Sequence, residues 1–287
     1  MRTTPLIRVL GTAQDGGLPH AGCRCDRCTA ARRDPALRRR IACIAVVLAD
    51  RVILVDATPD LPAQLELLHD VRPDRANPVD GLFLTHAHLG HYLGLAYLGL
   101  EAIDTRHLPV HCTSRMASFL RTNGPWSQLV TRGNIDLQTM TPETPVDLGD
   151  DVQVTALPVP HRDEWSDTIA LVFRGPNASV LYMPDTDPWS AWTTPVTTQL
   201  EGIDVAILDG TFYASDELAG RDQSSVGHPL IADTMTRLQE HVDRGRLRVL
   251  FTHMNHTNPA LDSTSAARME IERRGFGVLE EGAELAL

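Results

Sequence analysis

The chain lacks any apolar run approaching the roughly 18–20 residues that span a bilayer. Its opening apolar stretch, after Met1-Arg2-Thr3-Thr4, is too short for a secretory signal core. Together these absences predict a cytoplasmic protein with no membrane partner. A basic surplus is also missing. The formal net charge is −11, which argues against a general nucleic-acid or anionic-membrane surface. A small anionic substrate stays open, because a bound metal ion can dominate the local field. Cysteine is scarce, at five residues, and Cys23, Cys25 and Cys28 are crowded together. That distribution fits a disulfide framework poorly and reads as metal binding in a reducing compartment. No solenoid-length repeat, low-complexity tract or linker interrupts the chain.

What is present is an ordinary globular composition, 43% hydrophobic and 22% charged over 287 residues. That is enough to bury a full core, and one domain over residues 1–287 is expected. Short β-branched runs predict strands at Ile7–Leu10, Ile44–Leu48, Val52–Val55, Leu82–Leu84, Val152–Ala156, Ile169–Phe173, Val180–Met183, Val205–Leu208 and Leu247–Phe251. Helical patterns predict helices at Leu61–His69, Leu93–Leu100, Arg115–Arg121, Pro229–Asp243 and Ser265–Arg274. Pro229 suits a first helical turn, and Gly275 suits a stop after Arg273-Arg274. The alternation defines an α/β protein, with its polar clusters just after strands.

Two clusters carry chemistry. Directly after the Leu82–Leu84 strand, T-H-A-H-L-G-H presents His86, His88 and His91. In extended chain His86 and His88 point the same way, and His91 at the next helix start can reach the same cavity or its neighbour. Neutral imidazoles suit zinc, iron and other borderline metals. The second cluster, G-C-R-C-D-R-C, spaces Cys23, Cys25 and Cys28 to wrap one tetrahedral zinc. His256 is the preferred fourth ligand, with His20 and Asp26 as local alternatives. Such a closed site is structural and would tie the N-terminal loop to the loop after the Leu247–Phe251 strand. Cys43 and Cys112 sit on apolar strands and read as core.

The histidine string resembles the metallo-β-lactamase superfamily, whose signature is H-x-H-x-D-H after a strand. Other motifs follow in order: Asp56 in I-L-V-D-A-T, His161 in V-P-H-R-D-E, Asp185 in L-Y-M-P-D-T and His253 in F-T-H-M-N-H. The resemblance implies an αββα sandwich of two mixed sheets with helices on both outer faces. It also implies one metal at His86, His88 and His161 and a second at His91 and His253, with Asp185 shared. Zinc is the implied structural ion, and Zn2+, Fe2+ or Mn2+ the active-site ion, one or two in number. One departure stands out, since Gly90 replaces the signature aspartate. The second site is therefore expected to be weak, empty or completed by another carboxylate. Asp163 and Glu164 are favoured, ahead of Asp15, Asp187 and Asp209, because they lie on the loop beginning at His161.

Longer strings narrow the resemblance to the pyrroloquinoline quinone biosynthesis protein B group: G-T-A-Q-D-G-G-L-P, the run Leu208–Leu218, V-G-H-P at Val226–Pro229 and H-M-N-H-T-N-P at His253–Pro259. The cysteine cluster with H-x-x-H is also similar to the phosphodiesterase branch that includes the carbon–phosphorus lyase accessory enzyme. The expected function is hydrolysis of an ester, lactone or phosphodiester of a small molecule. Oxidative tailoring with iron and an inactive metal-binding scaffold are the alternatives. Asp185, His228 and Asp209 are the expected catalytic residues. His228 reads either as a substrate-side or proton-transfer group or as a helix cap, and Asp209 and Thr211 as buttresses of ligands. The Asn123–Trp126 stretch reads as a rim loop or as a core anchor through Trp126. Related proteins suggest a homodimer.

Overall fold

The computed structural model describes residues 4–217 and 227–287. The sequence strings ending at Leu218 and beginning at Val226 therefore extend outside the described residues. Strands β1 (Leu6–Gly11), β2 (Cys43–Val47), β3 (Val52–Val55), β4 (Gly81–Phe83), β5 (Leu108–Cys112) and β6 (Ile135–Thr139) build one sheet. Strands β7 (Val146–Gly149), β8 (Val152–Pro158), β9 (Ile169–Arg174), β10 (Ser179–Met183), β11 (Val205–Asp209), β12 (Arg248–Thr252) and β13 (Gly277–Val278) build the other. The last strand, β14 (Glu284–Ala286), returns to pair antiparallel with β1 and closes the first sheet's edge. Each sheet has seven strands, in the orders β14-β1-β2-β3-β4-β5-β6 and β13-β12-β11-β10-β9-β8-β7.

Three antiparallel pairings followed by three parallel ones run across both sheets. The chain thus repeats one topology twice, although its sequence shows no internal period.

Period-two alternation explains the layering. In β3, Ile53 and Val55 face the space between the sheets, while Val52 and Leu54 face the helices outside. In β10, Val180 and Tyr182 face inward, and Leu181 and Met183 face out. Three apolar layers result, one between the sheets and one under each outer helical layer. Because both faces are covered, the central strands read as continuous apolar runs. This is the αββα sandwich that the resemblance implies. Cys43 and Cys112 are fully buried in the first outer layer, as expected of core residues.

The first outer layer holds helices α2 (Leu61–Glu66), α3 (Leu89–Tyr92), α4 (Ser114–Thr122) and α5 (Trp126–Thr131). Helix α1 (Asp26–Arg33) lies over the small Leu18–Cys28–Ala31 cluster. Helices α6 (Val196–Gln199), α7 (Ile231–Asp243) and α8 (Ala266–Arg273) cover the second sheet. Local chemistry sets several ends. Thr113 caps α4 by accepting from the Met116 amide, and Ser265 caps α8 by accepting from Arg268. The helix expected from Pro229 begins two residues later, at Ile231. The pattern at Leu93–Leu100 forms a 3-10 segment, Leu93–Leu98, instead of an α-helix. There the Gly94 amide bonds Ala57 O, and a Cβ at Gly94 would meet Thr58 O at 2.1 Å, so only glycine permits this approach. Among the described residues, no helix is long and apolar enough to cross a membrane.

Candidate metal centre

The carboxyl ends of several strands converge between the two sheets, the usual crevice for ligands in sheets with parallel strands. Asp56 follows β3, the histidine string follows β4, Asp185 follows β10, Asp209 ends β11 and His253 follows β12. His161 comes from the loop after β8. Asp56 and His253 both adopt left-handed backbone conformations, with φ of 68° and 58°. Non-glycine residues hold that conformation when surrounding contacts over-determine it.

His86, His88, His161 and Asp185 form one group, with ligand atoms all within 4.8 Å of one another. His86 Nε2 lies 3.2 Å from Asp185 Oδ2, and His161 Nε2 lies 3.1 Å from Asp185 Oδ1. His88 Nδ1 lies 3.2 Å from His161 Nε2. On the other side of Asp185, His91 and His253 bring their Nε2 atoms to 3.8 and 4.0 Å from its Oδ2. His228 Nδ1 lies 3.3 Å from Asp185 Oδ1. The structure thus brings together His86, His88, His91, His161, Asp185, His228 and His253.

A second set of contacts orients these rings. The Thr85 amide and hydroxyl donate to Asp56, so the Thr85 oxygen can accept from His86 Nδ1 at 3.0 Å. His91 Nδ1 donates directly to Asp56 Oδ2 at 2.7 Å. Thr211 donates to Asp209 Oδ1 and lies 3.0 Å from His253 Nδ1, and His161 Nδ1 lies 3.2 Å from Asp187 Oδ1. Each bond places the proton on Nδ1 and turns the Nε2 lone pair toward the centre, as in many metal sites. Asp209 and Thr211 therefore buttress the rings, in the way the sequence suggests. Thr85 does the same on the first sheet, a role legible only in its place before His86.

The residues fit a cation. Asp15 Oδ1, His86 Nε2, His91 Nε2, Asp185 Oδ1 and His253 Nε2 are buried and have no hydrogen-bond partner among the described residues. Each buried orphan costs roughly 1–3 kcal/mol, so five cost on the order of 5–15 kcal/mol. Zinc binding of about 10–16 kcal/mol, the structural-site scale, is large enough to offset that. Electrostatics point the same way. Burial pushes His86 well below the ordinary imidazole range and keeps it neutral. Burial would lower His91 too, but the Asp56 and Asp15 carboxylates outweigh it and hold His91 well up. Burial is likewise outweighed at His228, which Asp209 and Asp185 push up to about 9. His228 Nδ1 bonds Asp209 Oδ2 at 2.8 Å, and the residue precedes α7 by three positions, so its contacts are those of the centre and not of a cap.

One expectation needs correction. Asp163 and Glu164 do not stand in for the missing aspartate. Asp163 pairs with Arg115 at 3.2 Å, and the half-exposed Glu164 lies 3.4 Å from the outer nitrogen of His88. Asp187 and Asp209 are occupied with His161 and His228. Asp15 is the carboxylate beside Gly90, and its Oδ1 lies 3.4 Å from His91 Nε2 and 3.6 Å from His253 Nε2. Sequence proximity to His161 misled here, because the loop after β1 reaches the centre from elsewhere. Trp126 packs on Tyr92 and Phe119, so it is an anchor of the outer layer.

The cysteine cluster is separate. Cys23, Cys25, Cys28 and His256 have ligand atoms within 4.8 Å of one another. His256 Nδ1 lies 3.8 and 3.7 Å from the Cys23 and Cys25 sulfurs. Neither His20 nor Asp26 belongs to this group. The His20 amide donates to Cys28 Sγ at 3.3 Å, and Cys25 caps α1. Arg27 donates to His256 O and Asn258 O, both at 2.8 Å, so this corner joins the N-terminal loop to the loop after β12. A cavity of about 620 Å³ lies on the His88 side, with Arg162, Leu89 and Trp165 in its wall. Another of about 480 Å³ lies on the His228 side, and Gln14 and His20 line both.

Comparison with known proteins agrees with this fold. A relative described as coenzyme PQQ synthesis protein B, from Rhodopseudomonas palustris (strain BisB5), is 28% identical over 314 residues, covering 98% of this chain and 99% of the relative. The solved Zn(2+)-bound PqqB from Methylobacterium extorquens superposes with a TM-score of 0.84 at 22% identity, over 98% of this chain and all of that one. A diphosphatase from the PhnP family gives 0.69 at 19% identity, over 99% and 97% of the two chains. CmlA, a diiron β-hydroxylase from Streptomyces venezuelae, gives 0.53 at 18% identity, over 85% and 52%. The family model for the beta-lactamase superfamily domain matches residues 51–254, which takes in all the histidines of the centre, and the chain belongs to that superfamily.

Proposed function

We propose that the chain is a metal-dependent hydrolase acting on an ester, lactone or phosphodiester bond of a small molecule. The donor set carries this reading: three imidazoles, His86, His88 and His161, gathered with Asp185. Three histidines with an open position are a frequent catalytic zinc arrangement, whereas oxygen-activating iron is commonly held by two histidines and one carboxylate. A bound divalent ion would supply Lewis acidity and an ionised water near neutral pH.

The chain's own groups supply the rest. Asp185 lies between the two halves of the centre and can serve both. His228, held by Asp209, is placed to donate to the substrate oxygen on which charge develops, or to pass a proton to the leaving group. Asp56, Asp209, Thr85 and Thr211 keep the rings aimed. Leu89 and Trp165 are exposed in the wall of the larger cavity beside Arg162, which suits a small molecule with an apolar part and an anionic group. Zinc at the cysteine corner is structural in this reading. A cytoplasmic setting, no nucleic-acid or membrane partner and a homodimer complete it.

A second reading, iron-dependent oxidative tailoring, rests on the resemblance to the quinone-cofactor group, and the diiron β-hydroxylase CmlA shares the fold. A scaffold without turnover is the third. Metal analysis coupled to an ester, lactone and phosphodiester screen separates them. Zinc beyond the structural equivalent together with hydrolysis supports the proposal. Iron with oxygen consumption replaces it by the second reading, and full metal loading without turnover by the third.

A further inference from the structure

We infer that Asp15 is the carboxylate ligand of a second metal ion, doing from the N-terminal loop what the signature position, here Gly90, cannot do. Three independent observations meet at this residue. Asp15 Oδ1, His91 Nε2 and His253 Nε2 have no hydrogen-bond partner among the described residues, and all three lie within 4.8 Å of one another. Both imidazoles are fully buried, and each Nδ1 is already engaged, by Asp56 and by Thr211. With each Nδ1 engaged, the two neutral rings would set their Nε2 lone pairs against the Asp15 carboxylate, acceptor against acceptor, and a metal ion among the three resolves that.

The second observation is steric. A Cβ at residue 90 would meet Asp15 Oδ1 at 2.2 Å, Asp15 Cγ at 2.7 Å and Asp15 Cα at 2.9 Å. Asp15 thus fills the volume in which a side chain at position 90 would begin. The two carboxylates exclude one another, so the missing signature residue and the inserted loop are one adaptation.

The third is backbone anchorage. Gln14 N donates to Met254 O at 3.0 Å, and Met254 N donates to Thr12 O at 2.9 Å. Gly17, with a φ of 66°, closes a turn by donating to Gln14 O at 2.7 Å. The loop bearing Asp15 is thereby clipped to the loop bearing His253, which holds both ligands in one register. A ligand fixed by backbone bonds is preorganised, unlike an exposed carboxylate on a free loop.

This deepens the proposed hydrolytic site, but its test does not depend on turnover. Zinc is titrated into the metal-stripped full chain against a competing chelator, and total bound zinc is counted. The parent chain is expected to bind one ion at the cysteine corner and two at the centre. Asp15→Asn keeps the shape and removes the charge, and it should lose one centre ion or bind it at least about 100-fold more weakly. Gly90→Ala leaves Asp15 chemically intact but displaces it, and it should show the same selective loss. The cysteine-bound zinc, retained in both variants, reports that each has folded. Either variant retaining that zinc and still binding both centre ions with parental affinity overturns the inference. A parent chain that binds only one centre ion overturns it too. Loss of hydrolysis with all three ions in place would instead count against the functional reading alone.

Discussion

Each sheet contributes three histidines to the centre, and on each an aspartate, a threonine and two of those histidines are arranged alike. On the first sheet, Asp56 holds His91 directly and takes the Thr85 hydroxyl, which lies beside His86 and His91. On the second, Asp209 holds His228 directly and takes the Thr211 hydroxyl, which lies beside His253 and His228. The difference lies in where the imidazoles aim. His86 and His91 present Nε2 atoms to the centre, and so does His253, whereas His228 meets both Asp209 and Asp185 with its Nδ1. One half is thereby specialised for holding ions. The other gives up one ring, which is free to meet a substrate.

The largest effect expected from this comparison comes from removing one ligand on the first-sheet side. His86→Ala should strip the ion shared with His88 and His161 and lower hydrolysis by at least about 100-fold, the scale of losing a preorganised electrostatic stabiliser. The cysteine-bound zinc should stay. Counting bound zinc in the purified variant checks this. Equal loss at both places would mean that the cysteine corner and the centre are not separate sites.

A smaller and more discriminating effect belongs to the threonines. Thr85→Val removes a hydroxyl that contacts both His86 and His91, and so should weaken both centre ions. Thr211→Val touches only His253 among the free-lone-pair rings and should weaken the ion on that side alone. Loss of such an orienting partner typically costs about 10–100-fold in metal affinity. Chelator-competition titrations of the two variants give the readout. Identical profiles would mean that the two halves are not specialised in the way their geometry indicates.

The same asymmetry governed what could be read from the sequence. His86 and His88 lie on one extended segment and His91 on the short helix that follows it, so their closeness in sequence alone announces a cluster. The second-sheet ligands arrive singly, one per strand end, and needed the resemblance to be collected. Asp15 stood among five carboxylates with nothing local to rank it, since the meeting of the loops after β1 and β12 is a long-range contact. In the fold, the internal strands other than β5 were legible because burial leaves apolar, β-branched runs. The edge strands were not. β13 has two residues, β14 three and β7 four, β6 turns polar toward its end, and the internal β5 is interrupted by Pro109 and His111, so none shows a run long enough to recognise. Helix α1 was hidden for another reason, because its sequence was read as cysteine spacing.

The smallest effect should come from Glu164, the carboxylate that sequence position favoured. Its side chain is 52% exposed, and it meets the outer nitrogen of His88 at 3.4 Å and the Arg162 guanidinium at 3.9 Å. An exposed pair of this kind contributes up to ~1 kcal/mol, or about fivefold in a binding constant. Glu164→Gln should therefore leave the number of bound ions unchanged and move their affinities by less than about fivefold. Asp15→Asn should remove an ion outright, although both residues are acidic loop residues near the same histidines. What separates them is desolvation. The Asp15 oxygen is buried against two imidazole nitrogens and cut off from water, while Glu164 can turn to water at almost no cost. Loss of an ion in Glu164→Gln would mean that the His161 loop closes over the centre when metal binds, and that the carboxylate is recruited from the surface after all.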